Sequence, residues 1–252
     1  MSMIFQFSKY DLKKKVSGSY FGWFWLIMKP LLTILVMWAV FSYGFKTPAV
    51  NGSAFIVWIA CGLVVWMFFS ETINDITNSL IEYNYLLKQT NFKSKKIIDI
   101  KIISNILLHI SLFSLLFIIY FISGGELKVS LLLVFYYFIS LIAFTYSLGL
   151  LLSSLRVFIK DISDMLNAVL QVAFWVTPII WSISLIPKEY IFFLNLNPLS
   201  YIVQGYRDVL VNQSTPINTW EDTIIFWCEI ILLYIISSFV FHRLEKQFND
   251  VI

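Results

Sequence analysis

The stretch IISNILLHISLFSLLFIIYFI, residues 102–122, holds one side chain that titrates near neutral pH as a free residue, His109, in 21 positions. As an α-helix it rises about 31 Å, which matches a hydrocarbon core of about 30 Å. Five more runs of comparable length surround it, at 23–45, 54–70, 129–155, 165–186 and 223–241. The chain has 252 residues and is 59% hydrophobic and 13% charged, with 24 Phe, 13 Tyr and 9 Trp. A water-soluble domain of this size has too little interior to hide that much apolar surface, and a disordered chain would be polar. The sequence predicts an all-α polytopic membrane protein with six transmembrane helices, in one membrane domain covering 1–252.

Charge placement predicts the orientation. Six crossings put both termini on one side. That side then holds thirteen cations: Lys9, Lys13, Lys14, Lys15, Lys88, Lys93, Lys95, Lys96, Lys101, Arg156, Lys160, Arg243 and Lys246. The opposite side holds four, Lys46, Lys128, Lys188 and Arg207. The positive-inside rule makes the richer side cytoplasmic. The basic residues before the first span precede an apolar run too long for a cleavable signal, so that span is expected to stay as an anchor.

Three pieces outside the spans are long enough for roles of their own. In residues 1–22, Phe5, Leu12, Val16 and Tyr20 share one helical arc, which predicts a cytoplasmic interfacial helix with its lysines near lipid headgroups. In 75–96, Ile76, Leu80, Tyr83 and Leu87 follow one helix face. Polar groups fill the rest, and they have no obvious partner within the chain. This segment is expected to rest on the bilayer or to dock a soluble partner. The outward stretch 187–221 contains a broken apolar run at 191–206, interrupted by Asn195, Asn197, Pro198 and Gly205. It is expected to form a re-entrant segment, with Asn197-Pro198 near its turn, because free backbone groups at membrane depth need protein around them. Arg207 is then expected near the outer rim, paired with Glu221 or Asp222, meeting phosphate, or snorkelling to headgroups.

No enzyme or energy-coupling signature stands out. The nine glycines form no phosphate loop. His109 and His242 lack metal-ligand companions, and Cys61 and Cys228 both fall inside predicted spans. Glu229, His109 and Glu71 are too few for an obvious ion relay. The chain therefore reads as a membrane subunit driven by another chain.

Several short motifs carry a resemblance. Lys9-Tyr-Asp-Leu-Lys13, Ser19, Gly22, Trp25 and Pro30 precede and enter the first span. Cys61-Gly-Leu63, Trp66 and Phe69 lie in the second. Asn78-Ser-Leu80, Asn84, Leu87-Lys88 and Phe92 follow it, and Val157-Phe-Ile-Lys-Asp161, Thr177-Pro-Ile179, Asn197-Pro198 and Tyr206-Arg207 complete the order. In that order the chain resembles the permease subunit of type-2 ABC exporters, in the branch exporting O-antigen, capsule or teichoic acid. Lys93 stands where that family often has proline.

The resemblance implies a homodimer in the bacterial inner membrane with two copies of an ABC ATPase, and ATP and Mg held on that partner rather than on this chain. It also implies a lipid-linked polysaccharide as cargo, and no nucleic acid. Asp75, Asn78, Glu82, Asn84, Leu87 and Lys88 would form the ATPase coupling helix. Asn197, Pro198, Tyr201 and Arg207 would shape the exit. Trp175, Trp181 and Tyr190 are candidate glycan-path aromatics, since sugar C–H faces stack on aromatic rings. The same residue types also anchor helices at membrane interfaces. Rival readings are an exporter of a drug or small lipid, a proton-driven flippase and a membrane glycan-modifying enzyme.

Overall fold

The computed structural model describes residues 3–17, 20–46, 55–88, 92–187, 189–190, 194, 196–212 and 219–251. The described residues are helical and contain no strand. Parts of the predicted re-entrant segment, at 188, 191–193, 195 and 213–218, lie outside them, as does the outward loop at 47–54.

Among the described residues, five helices are long and apolar enough to cross a membrane, at Phe24–Gly44, Phe55–Glu82, Lys95–Ile122, Val129–Phe158 and Trp220–Gln247. We label the α-helices in chain order: α1 (Met3–Val16), α2 (Gly22–Ala39), α3 (Phe55–Glu82), α4 (Asn84–Leu87), α5 (Lys95–Ile122), α6 (Leu132–Phe158), α7 (Ile162–Val176), α8 (Pro198–Arg207), α9 (Trp220–Leu244) and α10 (Phe248–Val251). α2 runs on into a π-helical turn, Val40–Gly44. Gly124, at φ +87, supplies the left-handed residue in the short connection between α5 and α6.

α3 is the hub and packs against α2, α5, α6, α7 and α8. Most of its length is buried, whereas in α2 only Pro30 and Ile34 are buried among the described side chains. Close approach of α6 to α3 rests on small residues. A Cβ on Gly149 would lie 2.7 Å from the Ile76 side chain. Ser140, Thr145 and Ser147 return their hydroxyls to the carbonyls of Tyr136, Leu141 and Ala143 within α6, the usual way a polar side chain is made tolerable in lipid.

The fifth predicted span needs correction. α7 has 15 residues, about 22 Å of rise, which is short of a full crossing. It stops because Thr177, at φ −75 and ψ 137, is extended ahead of Pro178, and a residue before proline is pushed out of the helical region. Beyond it, to residue 187, the only regular piece is one 3-10 turn at Ile183–Leu185.

The segment 75–96 also differs from expectation. Residues 75–82 continue α3 without a break, and only α4 is a separate turn. Ile76, Leu80, Tyr83 and Leu87 are all buried, but the break at Tyr83 puts Leu87 on a separate turn rather than on one continuous face. They are covered by this chain, in a second core with Ile97, Ile98 and Ile102 of α5, Val157 of α6, and Phe241 and Phe248 near the C-terminus. α1 and α10 thus meet at the same end of the bundle as α4.

α1 is not a helix with an apolar buried stripe. Its fully buried residues are Ser8, Asp11 and Val16, Phe5 and Leu12 are half-buried, and Tyr20 is exposed. The Ser8 hydroxyl donates to the carbonyls of Ile4 and Ile100, so α1 lies on α5 through polar contacts.

Candidate transport surface and its supports

Three places on the helical frame carry the predicted residues. The first is a groove between α3 and α7 with a volume of about 710 Å³. Asn74, Asn167 and Gln171 bring amides to it, and Trp66, Phe174 and Trp175 bring rings. Phe174 meets Trp66 and Trp175 edge to face, with centroids 5.4 and 5.5 Å away. Trp175 is 64% exposed. Its carbonyl accepts a hydrogen bond from Trp181 Nε1 at 2.9 Å, so these two candidate aromatics are brought together. Tyr190 is exposed, and no contact places it beside them. Rings next to amides offer the stacking and hydrogen bonding that a polyhydroxylated chain needs. Asn167 and Gln171 were missed in the sequence, although two amides at i, i+4 spacing in an apolar run are a visible signal.

The second place is the knot behind that groove. Asn197 caps α8, its side chain accepting from the Leu199 N–H at 3.0 Å, and it donates from Nδ2 to Thr177 Oγ1 at 3.0 Å. Pro198 occupies the first turn, where its missing N–H costs nothing. Asn197-Pro198 is therefore the start of a helix tied to the end of α7. α8 is buried nearly all round, and at Gly205 a Cβ would sit 2.1 Å from the Tyr137 ring. Only a glycine lets these elements approach so closely.

Arg207 is the centre of the knot, and its expected pairing with Glu221 or Asp222, or contact with phosphate or headgroups, is replaced by an interior role. Its side chain is 1% exposed. Nη1 donates to the Pro178 carbonyl at 2.7 Å, Nη2 to that of Ile179 at 2.5 Å, and Nε to that of Trp58 at 3.3 Å. The guanidinium also lies over the Trp58 ring, 3.5 Å from its centroid. The carbonyls freed by the break after α7 are thus satisfied by one side chain from α8, as buried irregular backbone requires. Gly62 makes room, because a Cβ there would stand 2.4 Å from the Ile179 oxygen. Asp222 instead interacts with Thr219, the cap of α9.

Tyr201 also belongs to the interior. Its hydroxyl shares hydrogen bonds of 3.1 Å with Tyr136 and with Thr223, and its ring stacks on Phe226. Trp227 Nε1 donates to the Tyr136 hydroxyl at 2.8 Å, closing a network across α6, α8 and α9.

The third place is the basic end. Lys101 Nζ lies 2.7 Å from Asp11 Oδ1 and 2.8 Å from Glu82 Oε2, and Lys14 Nζ lies 2.7 Å from Glu82 Oε1. The Tyr83 hydroxyl donates to Asp11 at 2.5 Å. Lys15 pairs with Asp75 and donates to Asn105 Oδ1 at 2.9 Å, while Asn105 Nδ2 donates to Asp75. Burial alone would raise the Asp11 pKa, yet the charge and hydrogen bond of Lys101, with help from Tyr83, hold it below 3.8. The Glu82 carboxylate, accepting its hydrogen bond, raises the Lys14 pKa. Burial and the Asp11 charge together push the Tyr83 phenol up.

Three of the six predicted coupling residues are therefore engaged within the chain. Asp75 and Glu82 hold α1, and Asn78 Oδ1 accepts from Arg156 at 3.4 Å and Ser163 at 2.8 Å, tying α3 to α6 and α7. Leu87 is buried and Asn84 half-buried, while Lys88 and the unpredicted Tyr85 are exposed.

A multi-pass helical membrane domain with a sugar-compatible groove on one flank and a small exposed turn at its basic end is the frame of a transport subunit. The chain belongs to the ABC-2 type transporter family, whose model matches residues 4–211. It is similar to an O-antigen export system permease protein of Klebsiella pneumoniae, 23% identical over 247 residues that cover 96% of this chain and 92% of the relative. An O-antigen export system permease protein of Myxococcus xanthus is 21% identical over 244 residues, with the same coverages. The polysialic acid transport protein of Escherichia coli is 25% identical over 192 residues, covering 75% of this chain and 74% of its own.

Proposed function

We propose that this chain is the membrane permease subunit of an ATP-driven exporter, and that it moves a lipid-linked polysaccharide across a bacterial cytoplasmic membrane. ATP is hydrolysed on separate subunits, two per homodimer of this chain. Six crossings leave both termini cytoplasmic. The fifth is made by α7 together with the unwound stretch after it, and α8 is the re-entrant return. The name shared by relatives that cover almost the whole chain supports the cargo.

The observation that carries the assembly is on α7. Met165, Val169, Val172 and Val176 are each more than half exposed, and their 4-3-4 spacing is that of a helix–helix seam. The amide-and-indole groove lies beside this seam. A second copy docked there turns two half-grooves into one conduit between protomers.

Three measurements test this reading. In a Cys228→Ser background, Val169→Cys should give a disulfide-linked dimer on mild oxidation of native membranes, whereas Ile231→Cys, on the exposed face of α9, should not. A monomer at both positions would overturn the seam. In a polymer-exporting host, loss of this chain should leave the lipid-linked polymer inside the cell. Lys88→Glu, on the exposed turn, should weaken co-purification of the ATPase with membrane insertion unchanged. Normal surface polymer after loss of the chain, with altered drug sensitivity instead, would replace the cargo with a small molecule.

A further inference from the structure

The polar side chains of the α3–α7 groove form a ladder. Ser70, Asn74 and Asn78 follow one another at four-residue steps along α3, and Ser163, Asn167 and Gln171 do the same along α7. The two helices run in opposite directions. At one end the Ser163 hydroxyl donates to Asn78 Oδ1 at 2.8 Å, and at the other Trp66 meets Phe174 edge to face at 5.4 Å. Between these contacts each turn of α3 is matched by a turn of α7, and Ser70, Asn74, Asn167 and Gln171 line the space between them. The rungs are therefore about 6 Å apart, one helical turn.

The foot of the ladder is closed and its middle is open. Asn78 Nδ2 donates to the Asn74 carbonyl and Asn74 Nδ2 to that of Ser70, each at 3.0 Å, which leaves Asn74 Oδ1 to accept from the groove. Asn167 and Gln171 are exposed and hydrogen-bond to nothing among the described residues. At membrane depth such amides need water or a polar ligand. Among the described residues the groove is lined by amides, a hydroxyl, rings and Leu170, with no ionised side chain. One turn before Asn167, on the same face of α7, stands the exposed Asp164. The connection into α7 balances Arg156 and Lys160 against Asp161 and Asp164.

This wall discriminates by charge. The hydroxyls of an uncharged sugar both donate and accept, and so do primary amides. Its C–H faces stack on the rings beside them. A polymer with a carboxylate or phosphate on each repeat would lose hydration here without gaining a cation. It would also pass Asp164 in line with the amides.

We propose that the groove selects an uncharged polysaccharide, with its hydroxyls on the amides of Asn74, Asn167 and Gln171 and its ring faces on Trp66, Phe174 and Trp175. Asn167 and Gln171 set that specificity. The choice of a sugar polymer rests on the cargo proposed above, whereas the ladder and its lack of charge do not depend on it.

The test uses the full chain with its ATPase in lipid nanodiscs, in a Cys228→Ser background with Ser70→Cys as a reporter in the groove. Cys61 is buried and stays silent. The probes are a neutral hexose octasaccharide and an oligogalacturonate of equal length, which carries one carboxylate per sugar. The neutral probe should slow maleimide labelling of the reporter, with half-protection about tenfold below the concentration that the acidic probe requires. Gln171→Leu should weaken protection by the neutral probe, and Gln171→Asn, which keeps an amide, should retain most of it. Asn167→Lys with Gln171→Lys, both at exposed positions, should reverse the order of the two probes. Equal protection by both, stronger protection by the acidic probe, or an order unmoved by the two lysines would overturn the proposal. So would the absence of protection by either, the result expected if these amides meet those of a second copy. Polymer retention in the host after loss of the chain tests the cargo separately. Retention without protection leaves the exporter and removes the groove, whereas protection without retention leaves a sugar-binding groove and removes the exporter.

Discussion

Arg207→Ala is expected to be the most damaging single substitution in the chain. It strands the carbonyls of Pro178 and Ile179, both now held by the guanidinium, at roughly 1–3 kcal/mol for each buried acceptor. It also loses the stack on Trp58, worth about 2 kcal/mol when desolvated. A loss of about 4 kcal/mol or more follows, read as a lowered unfolding temperature of the purified chain and as lost export. Arg207→Lys separates charge from shape. An ammonium keeps the charge but cannot present a planar fork to two adjacent carbonyls while lying flat on an indole. The lysine variant should therefore stay well below wild type in both measurements. Full recovery by lysine would show that the site needs only a positive charge, and the three-carbonyl clamp would be wrong.

Why this residue looked different in the sequence is a matter of range. The broken apolar run at 191–206 points to its own backbone as the part in need of protein partners. The carbonyls that Arg207 holds lie outside that run: two are 28 and 29 positions away and the third 149. No periodicity encodes that meeting. The end of α7 was legible, by contrast, since Thr177-Pro178 sits inside the supposed fifth span, and local sterics alone stop a helix there.

The same division holds at the basic end. The apolar rhythm of Ile76, Leu80, Tyr83 and Leu87 is local, and all four are buried. The polar groups between them seemed free because their partners, Lys14, Lys15, Lys101 and Asn105, come from α1 and α5. A solvated face and an ion-paired one have the same composition. Only the fold distinguishes them, and here it engages Asp75, Asn78 and Glu82 within the chain.

That ionic joint gives the second large expected effect. Lys101→Met should destabilise the chain by about 3–5 kcal/mol, because it leaves the buried Asp11 carboxylate without its cation. Replacing both residues, Asp11→Leu with Lys101→Met, should recover much of the loss, since no uncompensated charge then remains. The pH dependence has a definite sign. Asp11 titrates below 3.8 in the folded chain, so its contribution is complete above that value and is lost as pH falls through the folded pKa. Wild-type unfolding temperature should therefore drop steeply in acid, and Asp11→Asn should start lower at neutral pH and drop less. Under the proposed function the joint also carries movement. Glu82, at the end of α3 and one residue before the turn into α4, is held by lysines from α1 and α5, so a push on α4 carries α1 with it. Glu82→Gln should loosen that linkage and lower export while the exposed face of α4 still binds the ATPase. Export at the wild-type level in Glu82→Gln, with α1 no longer moving with α4 in distance measurements between spin labels, would show that α1 is a passive anchor.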